Sequence, residues 1–88
     1  MDAIERWEQE NPLALWRRSK VPPLSKFDVF LRTGISYKDV ILIEHGMAWP
    51  TPDQFRELAE LTGDQTIRDE WEQWWKRRPV NHPSVRAS

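Results

Sequence analysis

The chain has 88 residues, a formal net charge of −1, six tryptophans and no cysteine. A chain of this length forms one small domain, and the lack of cysteine excludes disulfides and thiolate metal sites. No apolar run reaches the roughly 18 residues of a membrane span, and the acidic N-terminus is not typical of a signal peptide. We therefore expect a soluble intracellular protein.

Charge is distributed unevenly along the chain. Residues 1–10 carry four acids and one base, residues 11–45 carry six bases and three acids, and residues 46–88 carry seven acids and six bases. The basic excess thus lies in the first half, where it would suit a nucleic-acid surface. An excess of three is also common by chance in charged sequences.

Capping residues divide the chain into helices, beginning with a short charged helix over residues 2–9. Asn11 is an N-cap, and Pro12 fits the first helical position. They open a helix that runs to about residue 20, where two prolines soon prevent its continuation.

Three further N-caps start the next helices. Ser25, Ser36 and Thr51 are each followed three residues later by Asp or Gln, as in a capping box. The predicted helices span residues 25–34, 36–46 and 51–63. Each ends at a glycine. We expect Gly34 to adopt a left-handed conformation so that the helices over 25–34 and 36–46 meet at a steep angle.

A last helix is predicted over residues 66–78. Its apolar residues share one face, which either completes the core or forms a dimer interface: they are Ile67, Trp71, Trp74 and Trp75. Residues 79–88 contain two prolines and no apolar periodicity, so we expect a flexible tail. No segment alternates with period two, and the fold class is therefore all-α.

The segment LSKFDVFLRTGISYKDVILIEHGMAWPTPDQFRELAELTG, residues 24–63, resembles the phage-repressor (Cro-type, XRE) helix-turn-helix family. The matching motifs are, in chain order, Leu24-Ser25, Gly34-Ile35-Ser36, and Val40, Ile43, Glu44 and Gly46 with Pro50 following. The resemblance covers about residues 11–63. It implies a small five-helix bundle of the lambda-repressor-like type within a domain over 1–78, with an extra Trp-rich C-terminal helix over 64–78.

The resemblance also implies a function. The protein would be a small sequence-specific transcriptional regulator, repressor-like and phage-encoded, that binds double-stranded DNA as a homodimer in the cytoplasm of a bacterial or phage-infected cell. The helix over 36–45 would enter the major groove, with base contacts from Tyr37, Lys38, Ile41 and Leu42. Phosphate contacts would come from Ser25, Lys26, Arg18 and Lys20. A structural ion pair would join Arg17 and Glu44.

Ile41 and Leu42 depart from the family pattern, which has polar residues at these positions. Because they cannot hydrogen-bond to a base, they either touch thymine methyl groups, form a protein-docking surface, or pack in the core. The docking alternative is an adaptor or inhibitor, for instance of the transcription machinery, with an exposed apolar patch of Tyr37, Ile41, Leu42, Met47 and Trp49. Phe30 also departs, since the family has a small residue there, and we expect altered core packing.

No pattern for catalysis is found. The chain has neither a Gly-rich phosphate loop nor a His-Glu-x-x-His motif. His45 and His82 are far apart in sequence and lack further ligands at metal spacing. We therefore expect no enzymatic activity, no metal and no cofactor.

Overall fold

The computed structural model describes residues 2–86, and within this range the chain is helical and contains no strand. The helices are α1 (Ala3–Gln9), α2 (Pro12–Arg18), α3 (Lys26–Arg32), α4 (Tyr37–Glu44), α5 (Pro52–Thr62), α6 (Ile67–Lys76) and the short α7 (Pro83–Arg86). The all-α prediction is confirmed. The count of five is wrong: the structure has seven helices within residues 2–86, of which α1 matches the charged helix expected over residues 2–9 and α7 was not expected. None of the helices within residues 2–86 combines the length and the apolar character needed to cross a membrane.

The predicted N-caps are present in the structure. The Ser25 hydroxyl accepts from the Asp28 N–H at 3.1 Å, and the Asp28 carboxylate accepts from the Ser25 N–H at 2.8 Å. Thr51 and Gln54 form the same reciprocal pair at 3.1 and 3.0 Å. Ser36 caps α4 through its side chain. These bonds satisfy backbone donors that have no partner inside a helix.

The turn between α3 and α4 differs from the prediction, because Gly34 does not have a positive φ. Thr33 ends α3 instead, with extended backbone at φ −129° and ψ 175°. Its hydroxyl donates to the Val29 carbonyl at 2.8 Å and accepts from the Ile35 N–H at 3.2 Å. A side chain that satisfies both neighbouring backbone groups makes a left-handed residue unnecessary here.

The core lies between the helices from α2 to α6. α3 packs on α4, and α6 packs on α2 and α5. Each of these five helices contributes one residue that is 0 % exposed, and these residues are Leu13, Val29, Val40, Leu58 and Trp71. The core positions therefore come from the apolar face of each short helix.

Two stacked tryptophans join α1 to α6. The indole rings of Trp7 and Trp74 are parallel within 2°, with centroids 4.0 Å apart. Each Nε1–H donates to the backbone carbonyl of the other residue at 2.7 Å. Gly46, just after α4, lies against this pair, because a Cβ at that position would be 2.6 Å from Trp7 Cζ3. The tryptophan pair thus connects α1, α6 and the end of α4.

The tryptophans of α6 belong to the core. Trp71 and Trp74 are 0 % and 1 % exposed, so the dimer-interface alternative is wrong for these two residues. The rings of both are covered by other residues of the same chain, including Phe55 and Trp7. Trp75 is half-buried.

Part of the segment over residues 79–88, which was expected to be a flexible tail, packs back on the helices through His82. His82 is 1 % exposed, and its ring edge meets Trp7 with centroids 4.9 Å apart. Its Nε2–H donates to the His45 carbonyl at 2.9 Å, and its Nδ1 accepts from the Ser84 N–H at 3.1 Å. Residues 87 and 88, which the same prediction covered, lie outside the described residues.

Candidate nucleic-acid interface

One face of α4 packs against the core, and these contacts fix the position of the helix. Val40 and Ile43 are 0 % and 1 % exposed. Glu44 is 4 % exposed and binds the Arg17 guanidinium through both carboxylate oxygens, at 2.9 Å to Nε and 2.6 Å to Nη2. Arg17 also donates to the Leu24 carbonyl at 3.0 Å. The expected partners, Arg17 and Glu44, are thus in contact, and they hold α4 to α2 and to the segment before α3.

The first turn of α4 is exposed. Lys38 is exposed and has no salt bridge within residues 2–86. Tyr37 is 44 % exposed, but its ring is held edge-on against Phe27 and Phe30, with centroids 5.8 and 6.5 Å apart. The Lys38 ammonium is therefore available to a ligand, whereas the Tyr37 ring is held beside α3.

Ile41 and Leu42 are half-buried and line an open groove beside α4. We name it the α4 groove; its volume is about 420 Å³, and its other lining residues are Ile4, Glu8, His45, Met47, His82 and Pro83. Glu8 contacts His45 Nδ1. Ile41 and Leu42 are thus not fully buried core residues, and α1 and the segment around residue 82 form the other walls.

Two of the predicted phosphate contacts lie together beside the end of α4. Lys26 and Arg18 line one shallow pocket of about 110 Å³, together with Glu44 and His45. The Arg18 guanidinium also donates to the Gln9 carbonyl. This cluster of cations lies next to the helix that was expected to enter the groove.

Lys20 and Ser25, the remaining two predicted phosphate contacts, do not line the pocket that Lys26 and Arg18 share. The Lys20 ammonium lies 4.9 Å from the ring centroid of Trp16. The Ser25 N–H is not free for a phosphate, because it donates to Asp28. The hydrogen bonds from the Ser25 backbone and hydroxyl hold the pKa of the Asp28 carboxyl below its usual value. A carboxylate therefore occupies the position that the sequence suggested for a phosphate.

Charge on α3 and α4 is compensated unequally. Of the carboxylates, only Glu44 is paired with a cation, an arginine, whereas Asp28 and Asp39 keep their charge and accept hydrogen bonds from neutral groups of Ser25 and of Gln54, the latter at 3.1 Å. Several cations on and around these helices lack a salt bridge within residues 2–86, and they are Arg18, Lys20, Lys26, Arg32 and Lys38. The surface therefore keeps positive charge that attracts a polyanion.

Sequence reasoning missed an exposed apolar surface on α3. We name it the α3 aromatic surface; Phe27, Phe30, Leu31 and Tyr37 are 50 %, 37 %, 63 % and 44 % exposed. The expectation that Phe30 packs in the core is therefore wrong, because its side chain is exposed on this surface. The signal was present in the sequence, because residues 27, 30 and 31 share one helix face while Val29 alone is buried.

Within residues 2–86 no group of three or more His, Asp or Glu residues could hold a metal ion. No family model, curated protein or solved structure gives a significant match to the chain.

Proposed function

We propose that the protein binds double-stranded DNA and regulates transcription, with α3 and α4 as a helix-turn-helix whose second helix enters the major groove. The arrangement of α4 supports this most. One face is fixed by the core and by the Arg17–Glu44 pair, while Lys38 in the exposed first turn of α4 and Lys26 beside its end have no salt bridge within the described range. Base reading requires a helix in a fixed position, and phosphate binding requires cations.

Each side chain then has a distinct role. Lys38 donates to guanine O6 or N7 at the floor of the major groove. Lys26 and Arg18 contact phosphates, which set register without reading sequence. Arg17 and Glu44 do not touch DNA; they set the position of α4 relative to the two phosphate-binding residues.

Fluorescence anisotropy of labelled duplexes from the region around the protein's own gene tests the proposal. We expect binding that weakens steeply between about 50 and 200 mM salt. Lys26→Ala should reduce the slope of log K against log salt by about 1, and Lys38→Ala should cost about 1–3 kcal/mol on the preferred duplex.

Lys76→Ala is the control, because Lys76 is an exposed cation on α6, 3.5 Å from Glu72. Lys76 lines neither of the pockets beside α4, and its replacement should leave binding unchanged. If none of the duplexes binds even at the lower salt concentration, the proposal is wrong.

Dimerisation on a palindromic site is part of the same proposal. Two copies would occupy half-sites roughly 34–36 Å apart, one turn of DNA. The interface must lie outside Trp71 and Trp74, which are buried. Sedimentation with a palindromic duplex counts the bound copies; two are expected, and a single copy would remove the dimer from the proposal.

A second candidate is a protein-interaction module, acting as an adaptor or inhibitor of the transcription machinery. The α3 aromatic surface favours it, because adjacent exposed apolar side chains mark interaction sites. Co-sedimentation with purified bacterial RNA polymerase provides the test. Phe27→Ser and Leu31→Ser should abolish the interaction and Lys26→Ala should preserve it; absence of any interaction with the unmodified protein would leave this candidate without support.

A further inference from the structure

Most hydrogen-bonding side chains of α4 and its end are already engaged inside the chain. Asp39 accepts from the Gln54 amide at 3.1 Å, and Glu44 is bound by Arg17. His45, which directly follows α4, contacts a carboxylate of α1. These groups would have to break an existing contact to bind a base, so we do not expect them to read sequence.

The accessible side of α4 therefore offers little hydrogen bonding. The Lys38 ammonium and the Tyr37 hydroxyl have no hydrogen-bond partner within the described part of the chain. Beyond them the surface continues with Ile41 and Leu42, both half-buried. A helix with this face can form few hydrogen bonds to base edges, and its remaining contacts must be apolar.

The C5-methyl of thymine is the apolar group that base edges present in the major groove. We propose that Ile41 and Leu42 determine specificity by contacting thymine methyl groups, so that the ligand is a duplex with thymines beside the guanine that binds Lys38. This inference rests on the proposed function. The α4 groove supports it, because it is open and offers two further apolar walls near these residues, Ile4 and Met47.

Uracil isolates this contact, because it differs from thymine only by the missing methyl group. The tightest duplex from the anisotropy series is resynthesised with single thymines replaced by uracil and measured at one salt concentration. We expect affinity to fall about fourfold for each thymine whose methyl group is buried. Thymines outside the site should show no change.

Two variants assign the effect to residues. Ile41→Ala and Leu42→Ala should bring the thymine-to-uracil affinity ratio towards one. Lys38→Ala is the matched control, since it should weaken both duplexes equally and leave the ratio unchanged. The thymine-to-uracil affinity ratio is determined separately for each variant. A lower fraction of folded protein therefore reduces the apparent affinity for both duplexes equally and leaves the ratio unchanged.

The outcomes separate the inference from the function on which it rests. Equal affinity of the unmodified protein for thymine and uracil duplexes overturns the inference while DNA binding stands. An unchanged ratio in both alanine variants overturns the assignment to Ile41 and Leu42. Failure to bind any duplex removes the proposed function, and the inference with it.

Discussion

At the scale of single residues, the ion pair between Arg17 and Glu44 holds α4 in position. Its side chains are 14 % and 3 % exposed, so both charges are largely removed from water. Such a pair contributes little net stability when it is complete, but the loss of one partner leaves an uncompensated buried charge. The main effect of the pair is therefore to fix the position of α4, and its net contribution to stability is small.

Replacing Arg17 by Met should lower the free energy of unfolding by about 3–5 kcal/mol, because Glu44 then stays buried without a partner. Urea unfolding measures the loss. Arg56→Ala is the control: Arg56 pairs with Asp53, and these side chains are 66 % and 82 % exposed. This variant should cost less than about 1 kcal/mol, and a similar loss in both variants would show that Glu44 reaches solvent.

A Cβ at position 46 is unfavourable for two reasons, the φ of 71° and the nearby Trp7 ring. Gly63 has a similar φ of 72° but no atom within 4 Å of an added Cβ. Gly63→Ala should therefore cost about 1–2 kcal/mol for the left-handed backbone alone. Gly46→Ala should cost a further 1–3 kcal/mol, roughly, for overpacking. Thermal or urea unfolding gives both values, and equal losses would contradict the close contact with Trp7.

Among the elements, α3 is only seven residues long and depends on its cap. The Asp28 carboxylate is stabilised by the Ser25 N–H and hydroxyl, which lower its pKa. Because the pKa of Asp28 is lowered in the folded state, its ionised carboxylate stabilises α3 at pH values above the usual aspartate pKa of about 4. This stabilisation is lost as the pH falls through the lower folded value.

NMR titration of the Asp28 carboxyl carbon tests the cap. Its midpoint should lie below that of an unstructured aspartate. Ser25→Ala removes the hydroxyl and should move the midpoint upwards, though not fully, because the Ser25 N–H bond, the larger cause, is a backbone contact. An unchanged midpoint in this variant would mean that the hydroxyl does not lower the pKa.

The connection between α1 and α6 predicts a difference between two buried tryptophans. Trp74 Nε1–H donates to the Trp7 carbonyl, whereas Trp71 Nε1 has no partner among the described residues. Both changes to Phe remove a similar volume. Trp74→Phe should therefore be less stable than Trp71→Phe by about 0.5–1.5 kcal/mol, because it loses one buried hydrogen bond, while the Trp7 carbonyl still accepts from the Glu10 N–H at 3.0 Å. Equal stability in denaturant unfolding would contradict this.

Most helices could be predicted because their signals are local. Ser25 and Thr51 act on backbone groups three residues away, so a four-residue motif contains both partners. The fold class follows from such motifs. The turn at Gly34 shows the limit even at short range, because the side chain of Thr33 took over the role expected of the glycine.

Local signals could not predict contacts over long sequence distances, and the Arg17–Glu44 pair was expected only from the family resemblance. Trp7 and Trp74 are separated by 67 positions, and nothing in either local sequence indicates the partner. The packing of His82 depends on that pair, since its ring meets Trp7. For the candidate site, Lys38 was expected to be exposed and is, but the Tyr37 contact with Phe27 depends on how α3 and α4 meet.

For the whole molecule, the tryptophan pair joins the two ends of the described chain, which fits within 32 × 27 × 23 Å. α1 is too short to be stable in isolation, so it should unfold together with α6 and the core. Far-UV circular dichroism and tryptophan fluorescence should therefore give coincident urea transitions. An earlier fluorescence transition would show that α1 detaches before the core unfolds.

The close approach of Gly46 to Trp7 also has an evolutionary consequence. A Cβ at position 46 and an indole at position 7 cannot occupy the same space, so position 46 cannot change while the indole is present. Loss of the large ring at position 7 should precede any replacement of the glycine in a descendant lineage. The reverse order would pass through an ancestor that folds poorly, so a family tree of this protein should show the two changes in that sequence.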